Sequence, residues 1–228
     1  MSGYPRGVLL LRPPGVYRPQ GDTYLLAEEL RRAGVRPGAR VLDVCTGTGA
    51  VAMAAARHGA ARVTAVDVSA RAVFAARLNA RLRGLRVQVV RGDLLGPFEG
   101  ERFDVIVSNP PYVPAPGGPP PRHGKARAWD AGGDGRALLD RICERAPRHL
   151  AEGGMLMMVH SALSGVEATL SALRGHGLKA SVVARRAEPF GPVMRGRAAD
   201  LRRLGLIEPG QRHEELVVIR ADRVESRP

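Results

Sequence analysis

Cysteine is nearly missing from this 228-residue chain: Cys45 and Cys143 stand far apart, and there is no CxxC. Two isolated thiols exclude a disulfide framework and a cysteine-based zinc site as organising features. Lysine is almost as scarce, since Lys125 and Lys179 are the only two among 35 basic residues. Aromatic residues make up 4%, too few for a base-stacking surface of the usual kind. No apolar run reaches the ~18 residues that a membrane-spanning helix needs. Pro5, Arg6, Arg12, Pro13 and Pro14 interrupt any signal-peptide pattern at the start. The expectation is a cytoplasmic protein with no membrane partner.

What is present is ordinary globular composition, 44% apolar and 25% charged, in a chain long enough to bury its own core. The charge is unusual: 22 acids leave a net +13. GC-rich codon usage explains arginine in place of lysine but not the shortage of acids. An acidic partner such as RNA, DNA or a ribosome is therefore a candidate.

Residues 1–21 read as an irregular Pro-, Gly- and Arg-rich arm. Asp22–Ala33 reads as a helix, with Leu25, Leu26, Glu29 and Leu30 at helical spacing and Asp22 or Thr23 as N-cap. This divides the chain into an arm and helix, 1–34, and one compact domain, 35–228. In the latter, apolar strands at Arg40–Val44, Arg62–Val66, Arg86–Val90 and Phe103–Ser108 alternate with helices at Ala50–His58 and Ala70–Arg83. A helix at Gly135–Leu150, broken near Pro147, precedes strands at Gly154–His160, Lys179–Ala184 and Glu214–Arg220, with a helix at Gly165–Gly175. Such alternation predicts an α/β fold with a parallel sheet covered on both faces. Two stretches do not fit: Pro110–Pro121, with seven prolines, and Arg185–Arg212, with no clear pattern. Long loops inside a compact domain are usually functional.

Between the first strand and first helix lies Asp43-Val-Cys45-Thr-Gly47-Thr-Gly49. Glycines allow a sharp turn and close ligand approach, and helix-start amides favour a negative group. With Ala52 and Asp67 this segment also satisfies a dinucleotide fingerprint, so an NAD-binding oxidoreductase is a rival. Three features oppose it. A carboxylate at Asp43 repels a pyrophosphate but suits a cationic amino or sulfonium ligand. Asp43, Asp67 and Asp93 recur one βα unit apart and line one sheet edge, as an adenosine with an amino-acid tail requires. Asp67 can accept both ribose hydroxyls and Asp93 the adenine amino group. Finally, Asn109-Pro110-Pro111-Tyr112 after the fourth strand has no place in a dehydrogenase. Cys45 reads as a small buried residue rather than a nucleophile, and His160 as a satisfied core histidine rather than a base.

Asp43–Gly49, Asp67, Asp93 and Asn109–Tyr112 together resemble a class I S-adenosylmethionine-dependent methyltransferase, with a Rossmann-like seven-stranded, mostly parallel sheet and helices on both faces. In that family Asn-Pro-Pro-Tyr marks methylation of planar nitrogens: glutamine amides, adenine N6 or guanine N2. The resemblance implies that the Asn109 side-chain oxygen and the Pro110 carbonyl accept the acceptor's N–H groups, that Pro111 helps to fix the corner, and that Tyr112 stacks on the flat group. Thr23, Asp43, Cys45, Gly47, Gly49, Asp67, Val68, Asp93, Leu94 and Asn109 are the expected contacts of S-adenosylmethionine, and no metal is needed. Val16-Tyr-Arg-Pro-Gln-Gly-Asp22-Thr23-Tyr-Leu-Leu26 and the Trp129–Arg136 segment are similar to the HemK-related release-factor glutamine methyltransferases of the eukaryotic and archaeal type. That implies a release-factor-like protein substrate with a glutamine acceptor, in a form without the N-terminal helical domain of the bacterial HemK proteins. Gly21 stands where the family usually has Glu, and Cys45 where the first glycine of the turn is usual. An RNA or DNA base methyltransferase and a small-molecule N-methyltransferase remain open. The Pro-rich loop with Arg122, His123, Lys125 and Arg127 reads either as a cationic lid or as a solvated loop.

Overall fold

The computed structural model describes residues 10–115, 118–121 and 124–224. The short β-branched runs form strands because they are shielded from water on both faces. β1 (Arg40–Val44), β2 (Arg62–Asp67), β3 (Val87–Arg91) and β4 (Phe103–Ser108) are parallel, with Val41, Leu42, Val44 and Ile106 wholly buried. Helices α2 (Ala50–Arg57), α3 (Ala70–Arg81) and α4 (Ala137–His149) fall between successive strands. β5 (Leu150–Ser161) extends the parallel set. After α5 (Val166–Gly175) come β6 (Lys179–Pro189), α6 (Pro192–Arg203) and β7 (His213–Asp222). β7 runs antiparallel between β5 and β6, so the sheet order is β3-β2-β1-β4-β5-β7-β6. The order changes direction at β1. Loops on its two sides diverge and open a crevice above the carboxyl ends of β1 and β4.

α1 (Gly21–Ala33) lies across this crevice and packs on α2 and β5. Its Leu25, Leu26 and Leu30 belong to the same hydrophobic cluster as the sheet. Truncating wholly buried Leu26 to Ala would cost ~2–5 kcal/mol and loosen the element that carries Asp22 and Thr23.

Several expectations need correction. The N-cap of α1 is Gln20, not Asp22 or Thr23. Asp22 instead turns inward, where its Oδ1 takes the Thr23 amide at 2.5 Å. α4 is not broken at Pro147. A proline in the last turn deletes one bond, while Leu139, Ile142, Cys143 and Ala146 keep one buried face across it. The patternless 185–212 stretch is structured: β6 continues to Pro189, and α6 follows with Pro192 in its first turn. The sequence hides both because β6 is an edge strand of alternating half-exposed residues, and α6 buries only Met194 and Leu201.

Candidate functional site

A cavity of about 830 Å³ occupies the crevice. Every expected site residue lines it except Gly49. Gly49 acts from behind: at φ 83° it starts α2, and a Cβ there would lie 3.2 Å from the Ala76 Cα. The glycine therefore lets α3 close against the turn.

Asp43 is 1% exposed. Its Oδ2 accepts the Thr46 hydroxyl at 2.6 Å and the Ala52 amide at 3.0 Å, so it braces the turn against α2. Burial pushes its carboxyl up to about 7, against the pull of those donors. Asp67 is held differently. Oδ2 takes the Gly47 amide at 3.0 Å and Oδ1 the Ser69 amide at 2.9 Å. The two bonds fix the carboxylate plane, and each oxygen keeps a lone pair for a ligand. Its carboxyl is raised by burial, with both amides opposing. Asp93 sits exposed at the rim, and Arg141 of α4 holds its Oδ2 at 2.5 Å.

Two residues depart from ordinary backbone beside these acids: Cys45 at φ 61° and Leu94 at φ 51°. Both lie just past a strand end, where a sharp turn is needed and glycine would be unstrained. Burial first, and then Asp67, Asp43 and Asp93, push the Cys45 thiol well up, so it stays protonated and a poor nucleophile. His160 is wholly buried, with Nδ1 at 2.8 Å from the Ser161 carbonyl. Burial lowers it to about 4, so it is a neutral core residue, but not the satisfied one expected: its Nε2 has no partner among the described residues. Thr48, not singled out from sequence, places a buried, unpartnered hydroxyl in the wall. That donor, the fixed Asp67 carboxylate and the volume of the cavity fit an adenosine with a charged tail.

The Asn109–Tyr112 corner follows β4 and meets α1. The Thr23 hydroxyl donates to Asp22 Oδ1 at 3.1 Å and accepts the Asn109 amide NH2 at 3.1 Å. Asp22 Oδ2 accepts the hydroxyls of Tyr17 and Tyr112, at 2.8 and 3.1 Å. Both phenols are pushed well up, by burial first and then by Asp22, so they remain donors. From below, the Ser164 hydroxyl donates to the Tyr112 carbonyl at 2.7 Å. Gly135 packs so close to that carbonyl that a Cβ would collide with it.

The loop beyond folds back on the corner. Val113 donates to the Trp129 carbonyl and accepts from Ala131, and Ala115 donates to the Gly132 carbonyl. Arg197 of α6 clasps this pair of segments, bonding the Pro114 carbonyl at 3.1 Å and the Asp130 carboxylate at 2.8 Å. Lys125 and Arg127 line the cavity; Arg122 and His123 of the expected cationic lid lie outside the described residues. Two further wall residues, Glu188 and Glu214, come from the β6–β7 edge. A carboxylate at 188 gives no signal in the sequence because the strand expected over Lys179–Ala184 runs on to Pro189.

Residues 10–116 match the family model described as the methyltransferase small domain. A Methanocaldococcus jannaschii protein, provisionally named a protein N5-glutamine methyltransferase, is 34% identical over 188 residues, 82% of this chain and 93% of the relative. The release factor glutamine methyltransferase of Geobacter sulfurreducens is 40% identical over 152 residues, 64% of this chain but 53% of that protein. This chain thus spans about half of that longer relative. The solved E. cuniculi Mtq2-Trm112 complex, described as responsible for the methylation of the eRF1 translation termination factor, superposes with a TM-score of 0.64 at 25% identity, covering 93% of this chain and 99% of the other.

Proposed function

This chain belongs to the HemK-related, S-adenosylmethionine-dependent methyltransferases, and on that premise we propose that its acceptor is the side-chain amide of a glutamine in a release-factor-like protein. The observation that carries the reading is the orientation of Asn109. A hydroxyl has one proton, and that of Thr23 goes to Asp22. Thr23 must therefore accept from the Asn109 NH2, which turns Asn109 Oδ1 away from Thr23 as a free acceptor.

In the cavity, Asp67 would hold the ribose hydroxyls, Thr48 and the turn amides the amino-acid tail, and Asp93 with Leu94 the base. Bound there, S-adenosylmethionine supplies a methyl group on a sulfonium. An amide nitrogen is a poor nucleophile because its lone pair is delocalised into the carbonyl. Asn109 Oδ1 and the Pro110 carbonyl accept its N–H bonds and aim the nitrogen, while the prolines remove loop freedom that would otherwise be lost at reaction. Tyr112 supplies an apolar ring beside the flat group, its hydroxyl already held by Asp22.

The net +13 charge favours a nucleic-acid acceptor, but Asp22, Glu188 and Glu214 line the cavity that holds Asn109. A phosphate backbone would be repelled there, whereas a protein loop would not. The test is tritiated methyl transfer into cell lysate, followed by protease or nuclease digestion. Label that protease releases, and that alkaline hydrolysis frees as methylamine, supports the reading. Label in nucleosides or small molecules contradicts it.

A further inference from the structure

Glu188 and Glu214 face each other directly in the β6–β7 ladder. Like charges at opposed cross-strand positions are destabilising, so this pairing works against the sheet that contains it. Their surroundings do not relieve it. Glu214 is 7% exposed, and its Oε2 has no hydrogen-bond partner among the described residues; the Ser161 hydroxyl offsets the burial of the carboxylate only in part. Among the described residues no salt bridge reaches Asp22, Glu188 or Glu214, in a chain with 35 basic residues. The nearest cation on the same face of β6, Arg186, is ion-paired with Glu28 at 2.8 Å.

The Glu188 carboxylate also lies against the first residue of α1, where a Cβ at Gly21 would collide with it. Thus β6 delivers a carboxylate to the place that a side chain on position 21 would fill. All three acids line the cavity that holds Asn109, and Asp22 is joined to Asn109 through the Thr23 hydroxyl.

We propose that Glu188 and Glu214 form a cation subsite that docks a guanidinium side chain of the acceptor protein beside the methylated amide. The inference rests on the protein-amide reading above and adds the chemistry of the neighbouring acceptor residue. A guanidinium fits better than an ammonium, because its planar fork can bond two carboxylates on adjacent strands at once. Docking neutralises the opposed pair, so the like-charge repulsion built into the free protein favours the bound state.

The test uses the full chain, labelled with nitrogen-15 and saturated with S-adenosylhomocysteine. It is titrated with Nα-acetyl-arginine amide and with Nα-acetyl-citrulline amide, the neutral isostere. The arginine probe is expected to shift the amides of 20–23, 188 and 213–216 and to bind at least about tenfold more tightly than the citrulline probe. In E188Q/E214Q the two probes should bind within about twofold of each other. Equal binding of the probes to the unaltered protein, shifts confined to other surfaces, or a preference that survives the double substitution would overturn the proposal. Should the double variant fail to fold, E188Q alone at its half-exposed position must still cut the preference by about threefold or more; an unchanged preference counts against it. Failure of S-adenosylhomocysteine to bind would instead strike at the methyltransferase reading itself.

Discussion

Asn109 and Thr23, 86 residues apart, are joined at 3.1 Å from amide nitrogen to hydroxyl. That bond links the corner after β4 to the first turn of α1, and it sets which face of the Asn109 amide looks into the cavity. Thr23→Val keeps shape but removes the hydroxyl. The amide then loses the partner that orients it, and methyl transfer should fall about 100-fold, with S-adenosylhomocysteine affinity changed by no more than about fivefold. Thr23→Ser should restore most of the rate. Parallel measurement of turnover and calorimetric binding separates this from simple loss of cofactor.

Among the described residues, Asp67 is the one cavity carboxylate whose two oxygens are both set by backbone amides. Asp67→Ala removes the ribose acceptor and the anchor of the Gly47 turn. The dissociation constant for S-adenosylhomocysteine should rise about 100-fold, equivalent to ~3 kcal/mol. Isothermal calorimetry reads this directly, and an unchanged constant would contradict the assignment.

Glu214 predicts a pH dependence with a definite sign. Burial, together with Asp22 and Glu188, raises its carboxyl from an ordinary 4.5 to about 7. Between these values the folded protein holds a proton that the unfolded chain has released, so stability falls as pH rises across that window. Glu214→Gln removes the titration. At pH 8 it should unfold later than the unaltered protein, by ~2 kcal/mol, and at pH 4 the two should nearly coincide. Thermal melts at the two pH values test this. A variant less stable at pH 8 would contradict it. The same substitution should weaken the guanidinium preference, leaving Glu188 as the one carboxylate of the pair, a trade of function for stability.

Much of this site could be read in the sequence because it depends on local rules. A short Val-rich strand ending in an acid, repeated one βα unit later, marks the ligand edge of a parallel sheet wherever it occurs, and Asp43 and Asp67 needed nothing more. The Asn109–Tyr112 corner was equally plain from its prolines. What escaped were contacts between distant segments. No periodicity announces that Glu188 will oppose Glu214, that Arg197 will clasp Pro114 and Asp130, or that Asp22 will gather two tyrosines rather than cap a helix. Edge strand β6 and helix α6 also carry little apolar signal, since each is half solvated. Asp93 lines the cavity, but its bond to Arg141 comes from α4, a helix whose sequence position says nothing of its nearness to β3.

The most direct test of the account compares Asn109→Ala with the unaltered chain, using the protein acceptor labelled from lysate. Single-turnover methyl transfer should fall by about 10³-fold, while S-adenosylhomocysteine binds within about fivefold of its normal constant. Transfer that persists near the normal rate, with cofactor bound, would show that the corner after β4 does not hold the methylated nitrogen.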